Sequence, residues 1–181
     1  KIRGMIHYKG RVRISMLCGR RALLDYRNRL KDGIRLSNLL SARLQLVPEA
    51  VEKLKNDCQD REMLIGRLYG QLFGLKAGQY PKSNRPLTLF EEGLNMVQIR
   101  QLCTLLYEQE KGSVVMVCSG NEAQGEYQYA LGSSLMDMRA LSKAMNGKLH
   151  GRGGGSSLMA QGTFRASRQS VMDVFQEETK S

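Results

Sequence analysis

Residues 78–86, Gly-Gln-Tyr-Pro-Lys-Ser-Asn-Arg-Pro, divide this sequence into two textures. Prolines and a glycine among short polar residues sustain neither a helical ladder nor a central strand, so the segment reads as a linker. Ahead of it, Leu40, Leu44, Val47, Val51, Leu54, Cys58, Arg61, Ile65, Leu68 and Leu72 recur by fours and threes, the spacing of a helical seam broken in kind only by Arg61. Behind it, short apolar runs alternate with amphipathic stretches. That division predicts an α/β (α+β) fold: an N-terminal β-hairpin and helical hairpin, then a small α/β domain with a mixed sheet. The corresponding segments are 1–19, 20–77 and 86–181.

Within the first region, Ile2–Tyr8 and Arg11–Leu17 flank Lys9-Gly10, and Val12, Ile14 and Met16 alternate with Arg11, Arg13 and Ser15, as in a hairpin. A basic helix is expected from Arg20 to about Leu40. Pro48 suits a helical first turn and disfavours helix in the residue before it, so a second helix is expected over 48–74. The spacing predicts that helices 20–42 and 48–74 pack antiparallel and bury the seam between them. Pairing of two copies, a homodimer through the helical region, is the alternative. Glycines at 66, 70, 74 and 78 suggest close packing and fraying toward the helix end.

In the second region, strands are expected at Leu87–Phe90, Val114–Cys118 and Gln124–Tyr129. Helices are expected at Leu94–Tyr107, with Ile99, Leu102, Leu105 and Leu106 inward, at Met136–Met145 and at Ser167–Phe175. Residues 147–155 read as a glycine-rich loop, in which backbone N–H groups can crowd round an anion and Arg152 can add a charge-assisted contact. The loop lacks the Gly-Lys-Ser/Thr of a Walker A motif.

Charge is distributed unevenly. The chain of 181 residues holds 28 Lys and Arg against 17 Asp and Glu, a formal net charge of +11. Residues 1–43 hold 12 of those bases and only Asp25 and Asp32, a net of +10, so the remainder is nearly neutral. So dense a basic segment suits a phosphate backbone, because each neutralised phosphate releases condensed counterions. A solvated helix face is the structural alternative.

Catalytic patterns are sparse. His7 and His150 lie far apart, and no H-x-x-x-H, C-x-x-C or C-x-x-x-H spacing offers zinc a site. Acidic residues form no sequence cluster for magnesium. Ser119-Gly120 resembles a nucleophile turn without its preceding glycine or a nearby histidine. Cys18, Cys58, Cys103 and Cys118 sit at long spacings and, with 10 Met, suggest a reducing, cytoplasmic setting and core packing roles. No run reaches the ~18 apolar residues of a membrane span. The chain is expected to be non-catalytic.

The order helix, Gly147-Lys148-Leu149-His150-Gly151-Arg152-Gly153-Gly154-Gly155, then Met159-Ala160-Gln161-Gly162 resembles the DHH-associated domain of the first subfamily. That domain ends alanyl-tRNA synthetases, the larger AlaX editing proteins and DHH-type oligonucleotide phosphoesterases. Arg11-Val12-Arg13-Ile14-Ser15-Met16-Leu17-Cys18-Gly19-Arg20-Arg21-Ala22-Leu23 resembles the last strand and following helix of the alanyl-tRNA editing domain, a segment a DHH phosphoesterase would not carry. The likeness spans essentially the whole chain, strongest at 11–26 and 147–162 and loose over 43–115. Ser156-Ser157 depart from the Arg-Pro that often follows the glycines.

The resemblance implies the C-terminal part of an alanyl-tRNA editing hydrolase, which removes serine or glycine from tRNA for alanine, with residues 1–19 as the tail end of the editing sheet. The zinc motifs of that family are not among these residues and would lie upstream of Lys1; no cofactor is expected here. The expected partner is tRNA. The expected RNA-binding residues are Arg11, Arg13, Arg20, Arg21 and Arg27, with Gly151, Arg152, Gly153, Gly154, Gly155 and Gln161; no catalytic or metal residues are expected.

Overall fold

A computed structural model of the chain describes residues 1–122 and 125–180. It has the expected mixed α/β composition, in two compact units, Lys1–Leu64 and Ile65–Ser181.

The first unit opens with an antiparallel hairpin, β1 (Ile2–Tyr8) and β2 (Arg11–Met16), paired from Tyr8 opposite Arg11 to Ile2 opposite Met16. Lys9 (φ 48°) and Gly10 (φ 71°) both occupy the left-handed region, which a two-residue turn matching strand twist requires. Gly19 (φ 57°) then turns the chain into helix α1 (Gly19–Leu39). A single 3-10 turn, Leu44–Leu46, leads to α2 (Val47–Gln79), whose Pro48 sits in the first turn, where a missing N–H removes no helical bond.

No residue of 1–64 is buried. The expected burial of the seam between two helices is therefore corrected: Leu44, Val51, Leu54, Leu68 and Leu72 are all exposed. The seam lies almost wholly on the 3-10 turn and α2, and one stripe cannot bury itself. α1 carries an apolar row of its own, Leu23, Tyr26, Leu30 and Ile34, but these too are exposed, so neither stripe covers the other. Helix α2 also continues five residues past the expected end at 74, through Gly74 and Gly78. Each interior glycine costs a helix about 1 kcal/mol relative to Ala. Burial of Phe73 and Ala77 in the second unit's core offsets that cost.

The second unit is a five-stranded sheet in the order β3 (Leu87–Glu91), β4 (Val115–Asn121), β5 (Glu126–Gly132), β7 (Met159–Arg165), β6 (Arg152–Gly155). β3 and β4 are parallel, joined through α3 (Met96–Glu108); every other pairing is antiparallel. Gln124, expected to open β5, lies outside the described residues. Helix α3 begins at a capping box, in which Gln98 N donates to Asn95 Oδ1 (3.0 Å) and Asn95 N to Gln98 Oε1 (2.9 Å). α4 (Met138–Lys148) begins at Asp137, which accepts from Arg139 N (2.9 Å). α5 (Arg168–Lys180) closes the chain.

The sheet carries an apolar cluster on each face. Ile99, Leu102 and Leu106 of α3 pack with Val115, Val117 and Ala130, joined by Phe73 and Ala77. Met138, Leu141 and Met145 of α4 pack with Tyr129, Phe164, Val171 and Phe175. Leu105, expected inward with its neighbours, is only partly buried. Among the described residues, no helix is long and apolar enough to cross a membrane.

Candidate nucleic-acid interface

The glycine-rich segment is not the expected loop. Residues 152–155 form β6, hydrogen-bonded to β7 at the sheet edge, and only the turns on either side are irregular. The packing beneath explains the glycines. The Tyr129 ring stacks on Phe164 at 3.9 Å and 4°, with its hydroxyl 2.7 Å from Ser142 Oγ and donating to Asn146 Oδ1 at 3.1 Å. A Cβ on Gly153 would lie 2.6 Å from the Tyr129 hydroxyl, one on Gly151 would overlap Asn146 Oδ1, and one on Gly162 would overlap the Arg152 carbonyl oxygen. These positions are held by close approach of strand to buried tyrosine. None of Gly151, Gly153, Gly154 or Gly155 has a positive φ, and a Cβ on Gly154 would meet nothing within 4 Å. At these four glycines the backbone carries none of the left-handed strain of an anion-cradling loop.

β6 does present backbone groups outward. Ser156 N donates to Met159 O (2.8 Å), closing the β6–β7 hairpin. Alternation of antiparallel pairs then turns the N–H and C=O of Gly153 and Gly155 to the free edge. The Gly155 carbonyl there accepts from Arg139 Nε at 3.1 Å.

Register assembles a polar row on the α3 face of the sheet. Ser119 stands opposite Gln128, Gln128 opposite Thr163, and Thr163 opposite Arg152, so side chains from β4, β5, β7 and β6 line up across the strands. On one side of this row lie Asn121, Glu126 and Arg165, with Arg165 Nε paired to Glu126 Oε1 at 3.1 Å. On the other, Gln161 stands between Ala130 and Gly154, its Oε1 shielded from solvent and without a hydrogen-bond donor among the described residues. A cleft of about 720 Å³ runs between the row and residues 93–95 ahead of α3. Ser119 Oγ, at its floor, accepts from Leu94 N (3.1 Å). Gln128, Thr163 and Arg152 are exposed, and their side chains have no hydrogen-bond or ionic partner among the described residues.

In the first unit, Arg11 and Arg13 alternate with Val12 and so share one face of β2. Arg20, Arg27, Lys31 and Arg35 follow one side of α1, and Arg21 stands about 100° round from Arg20. The Arg13 guanidinium lies 4.7 Å from the Tyr8 ring centre. Asp25 gathers three cations of this surface: Lys1 Nζ (2.7 Å), Arg29 (3.1 Å) and Arg3 (3.9 Å). The Lys1 hydrogen bond, helped by the other cations, holds its carboxyl below the ordinary range. Arg11, Arg20, Arg21 and Arg27 have no acidic partner among the described residues.

The nucleophilic and metal-binding side chains stay apart. Cys103 and Cys118 are buried, and desolvation pushes both thiols up, so they remain protonated packing groups. Among the described residues, no three of His, Cys, Asp and Glu gather where they could hold a metal ion. The expected interface residues fall in two groups, Arg11, Arg13, Arg20, Arg21 and Arg27 in the first unit and Gly151–Gly155 with Gln161 in the second. Gln128 and Thr163 were missed because a row across four strands is visible only once register is known; the polar alternation of Glu126, Gln128 and of Gln161, Thr163 was the available signal.

No protein-family model matches this sequence, and no curated relative does. Among solved structures, the C-Ala domain from Aquifex aeolicus alanyl-tRNA synthetase is similar, with a TM-score of 0.47 and 19% identity over 56% of this chain and 99% of that one. Exonuclease RecJ bound to manganese is similar with a TM-score of 0.48 and 15% identity, over 78% of this chain and 33% of that one. Neither likeness carries a residue role or an activity to this chain.

Proposed function

We propose that this chain is a nucleic-acid-binding module and that its partner is tRNA. One observation carries the reading: a net charge of +10 over residues 1–43, on a surface where Arg11, Arg20, Arg21 and Arg27 are exposed and unmatched by acids. Unmatched guanidinium groups on a strand and an adjoining helix suit phosphates, which they contact through charge-assisted, often bidentate hydrogen bonds. Arg152 and the outward amides of β6 form a second, smaller anion-facing edge. The choice of tRNA rests on the sequence resemblance to alanyl-tRNA editing proteins. On the same ground the proposed setting is a hydrolase that deacylates mischarged tRNA for alanine. The donor set among the described residues does not suit zinc.

Replacing Arg11, Arg13, Arg20 and Arg21 by Gln tests the reading. All four are exposed, so thermal melts should be unchanged. tRNA binding should weaken, and the slope of log K against log salt should flatten by roughly 0.7–0.9 for each phosphate no longer neutralised. Unchanged affinity and slope would remove the basic segment from the RNA surface. The exposed apolar stripe of α2 favours a second reading, an interaction module that pairs two copies through the helical region. A mass that doubles with concentration, together with salt-insensitive tRNA binding, would identify it.

A further inference from the structure

The basic segment explains attraction to any polyanion and says nothing about RNA against DNA. The polar row of the second unit has the chemistry to make that distinction. Gln128 supplies an amide donor and acceptor, Thr163 a hydroxyl that does both, and Arg152 a fixed cation at the end of the row. Adjacent strands lie about 4.8 Å apart, so the row from Gln128 to Arg152 spans roughly 10 Å, enough to follow a short stretch of backbone. The adjoining cleft of about 720 Å³ is lined by Leu94, Ser119, Gln128 and Thr163, and the two aromatic residues along it, Tyr127 and Phe164, are buried, so neither offers a face on which a base would stack. Glu91, opposite Ser119 at the head of the row, is ion-paired with Lys76, and Glu126 in the neighbouring row with Arg165.

Resting on the RNA-binding reading above, we propose that Gln128 and Thr163 read the ribose 2′-hydroxyl of a bound RNA while Arg152 holds a flanking phosphate, so that this row selects RNA over DNA. A 2′-hydroxyl both donates and accepts, which an amide and a hydroxyl match and a deoxyribose cannot. Gln161, whose Oε1 lacks a donor among the described residues, borders the same stretch of floor.

The test uses the full chain and two stem-loop oligonucleotides of one sequence, one RNA and one 2′-fluoro RNA, which keeps the ribose pucker and removes the hydroxyl. The wild type should bind the RNA about three- to tenfold more tightly, the worth of one or two neutral hydrogen bonds. Thr163→Val with Gln128→Leu should bring the two affinities within about twofold, with the salt slope unaltered, and Thr163→Ser alone should retain the preference. Both side chains are exposed and their replacements near-isosteric, so folding is checked by an unchanged melt. RNA binding without a 2′-hydroxyl preference, or a preference that survives the double substitution, would overturn the assignment while leaving the basic surface standing. Failure of both oligonucleotides to bind would overturn the RNA-binding reading and this one with it.

Discussion

The two units make opposite use of similar apolar material. The second folds Ile99, Leu102, Val115, Val117, Tyr129 and Phe164 into clusters on both faces of one sheet, whereas the first leaves Ile14, Leu30, Val51 and Leu54 exposed. Periodicity is present in both. What differs is the complement: each strand face in the second unit meets a helix, while the stripe on α2 meets none within its own unit. An amphipathic pattern states which face is to be covered, not what covers it. Positive charge has gathered where a core is absent, and that pairing makes the first unit a surface and the second a scaffold.

The largest expected contrast follows directly. Phe164→Ala removes a fully buried ring stacked on Tyr129 and should destabilise the second unit by about 3–5 kcal/mol. Leu54→Ala, at a position 53% exposed, should shift stability by less than about 0.5 kcal/mol. Denaturant titrations of the two variants check this. A large loss from Leu54→Ala would mean that the stripe is covered in solution and that the first unit is no bare surface.

A smaller effect separates glycines within β6 and β7. Gly162→Ala forces its methyl onto the Arg152 carbonyl oxygen and should cost about 1–3 kcal/mol, seen as a lowered melting temperature. Gly154→Ala meets nothing within 4 Å and has no positive φ, so the melt should stay where it is. Equal effects at the two positions would contradict the strand pairing that places them on opposite faces.

The smallest expected effect concerns pH in the first unit. The Asp25 carboxyl is held below its ordinary range, so the stabilisation from its ion pairs is present above the unfolded value of about 3.9 and is lost as pH falls through the lower folded value. Hydrogen exchange over β1 and α1 should therefore rise on acidification below about pH 4 and less so in Asp25→Asn. The pair is exposed to solvent and should weaken with salt. An identical acid response in both would remove Asp25 from the contact between hairpin and helix.

Much of the fold was legible because its signals are local. Lys9-Gly10 between alternating strands requires the hairpin, and Pro48 marks the first turn of α2. The errors share one cause. A Gly-rich run between Lys148 and Ser156 has no side chain to report periodicity, so an edge strand and a loop look alike in sequence; partnership with β7 decides it. The end of α2 was misplaced for a related reason, since the helix penalties of Gly74 and Gly78 are local while the burial of Phe73 and Ala77 is not.

By itself the sequence determined the alternation of elements, the inward Ile99, Leu102 and Leu106 of α3, and the concentration of positive charge in the first 43 residues, because each depends on neighbours along the chain. Tertiary structure alone decided that Gly153 makes room for the Tyr129 hydroxyl and Gly162 for the Arg152 carbonyl, that the α2 stripe goes uncovered within its unit, and that Ser119, Gln128, Thr163 and Arg152 share one row. Those four lie up to 44 positions apart in sequence, and only strand register, a long-range choice among pairings, brings them side by side.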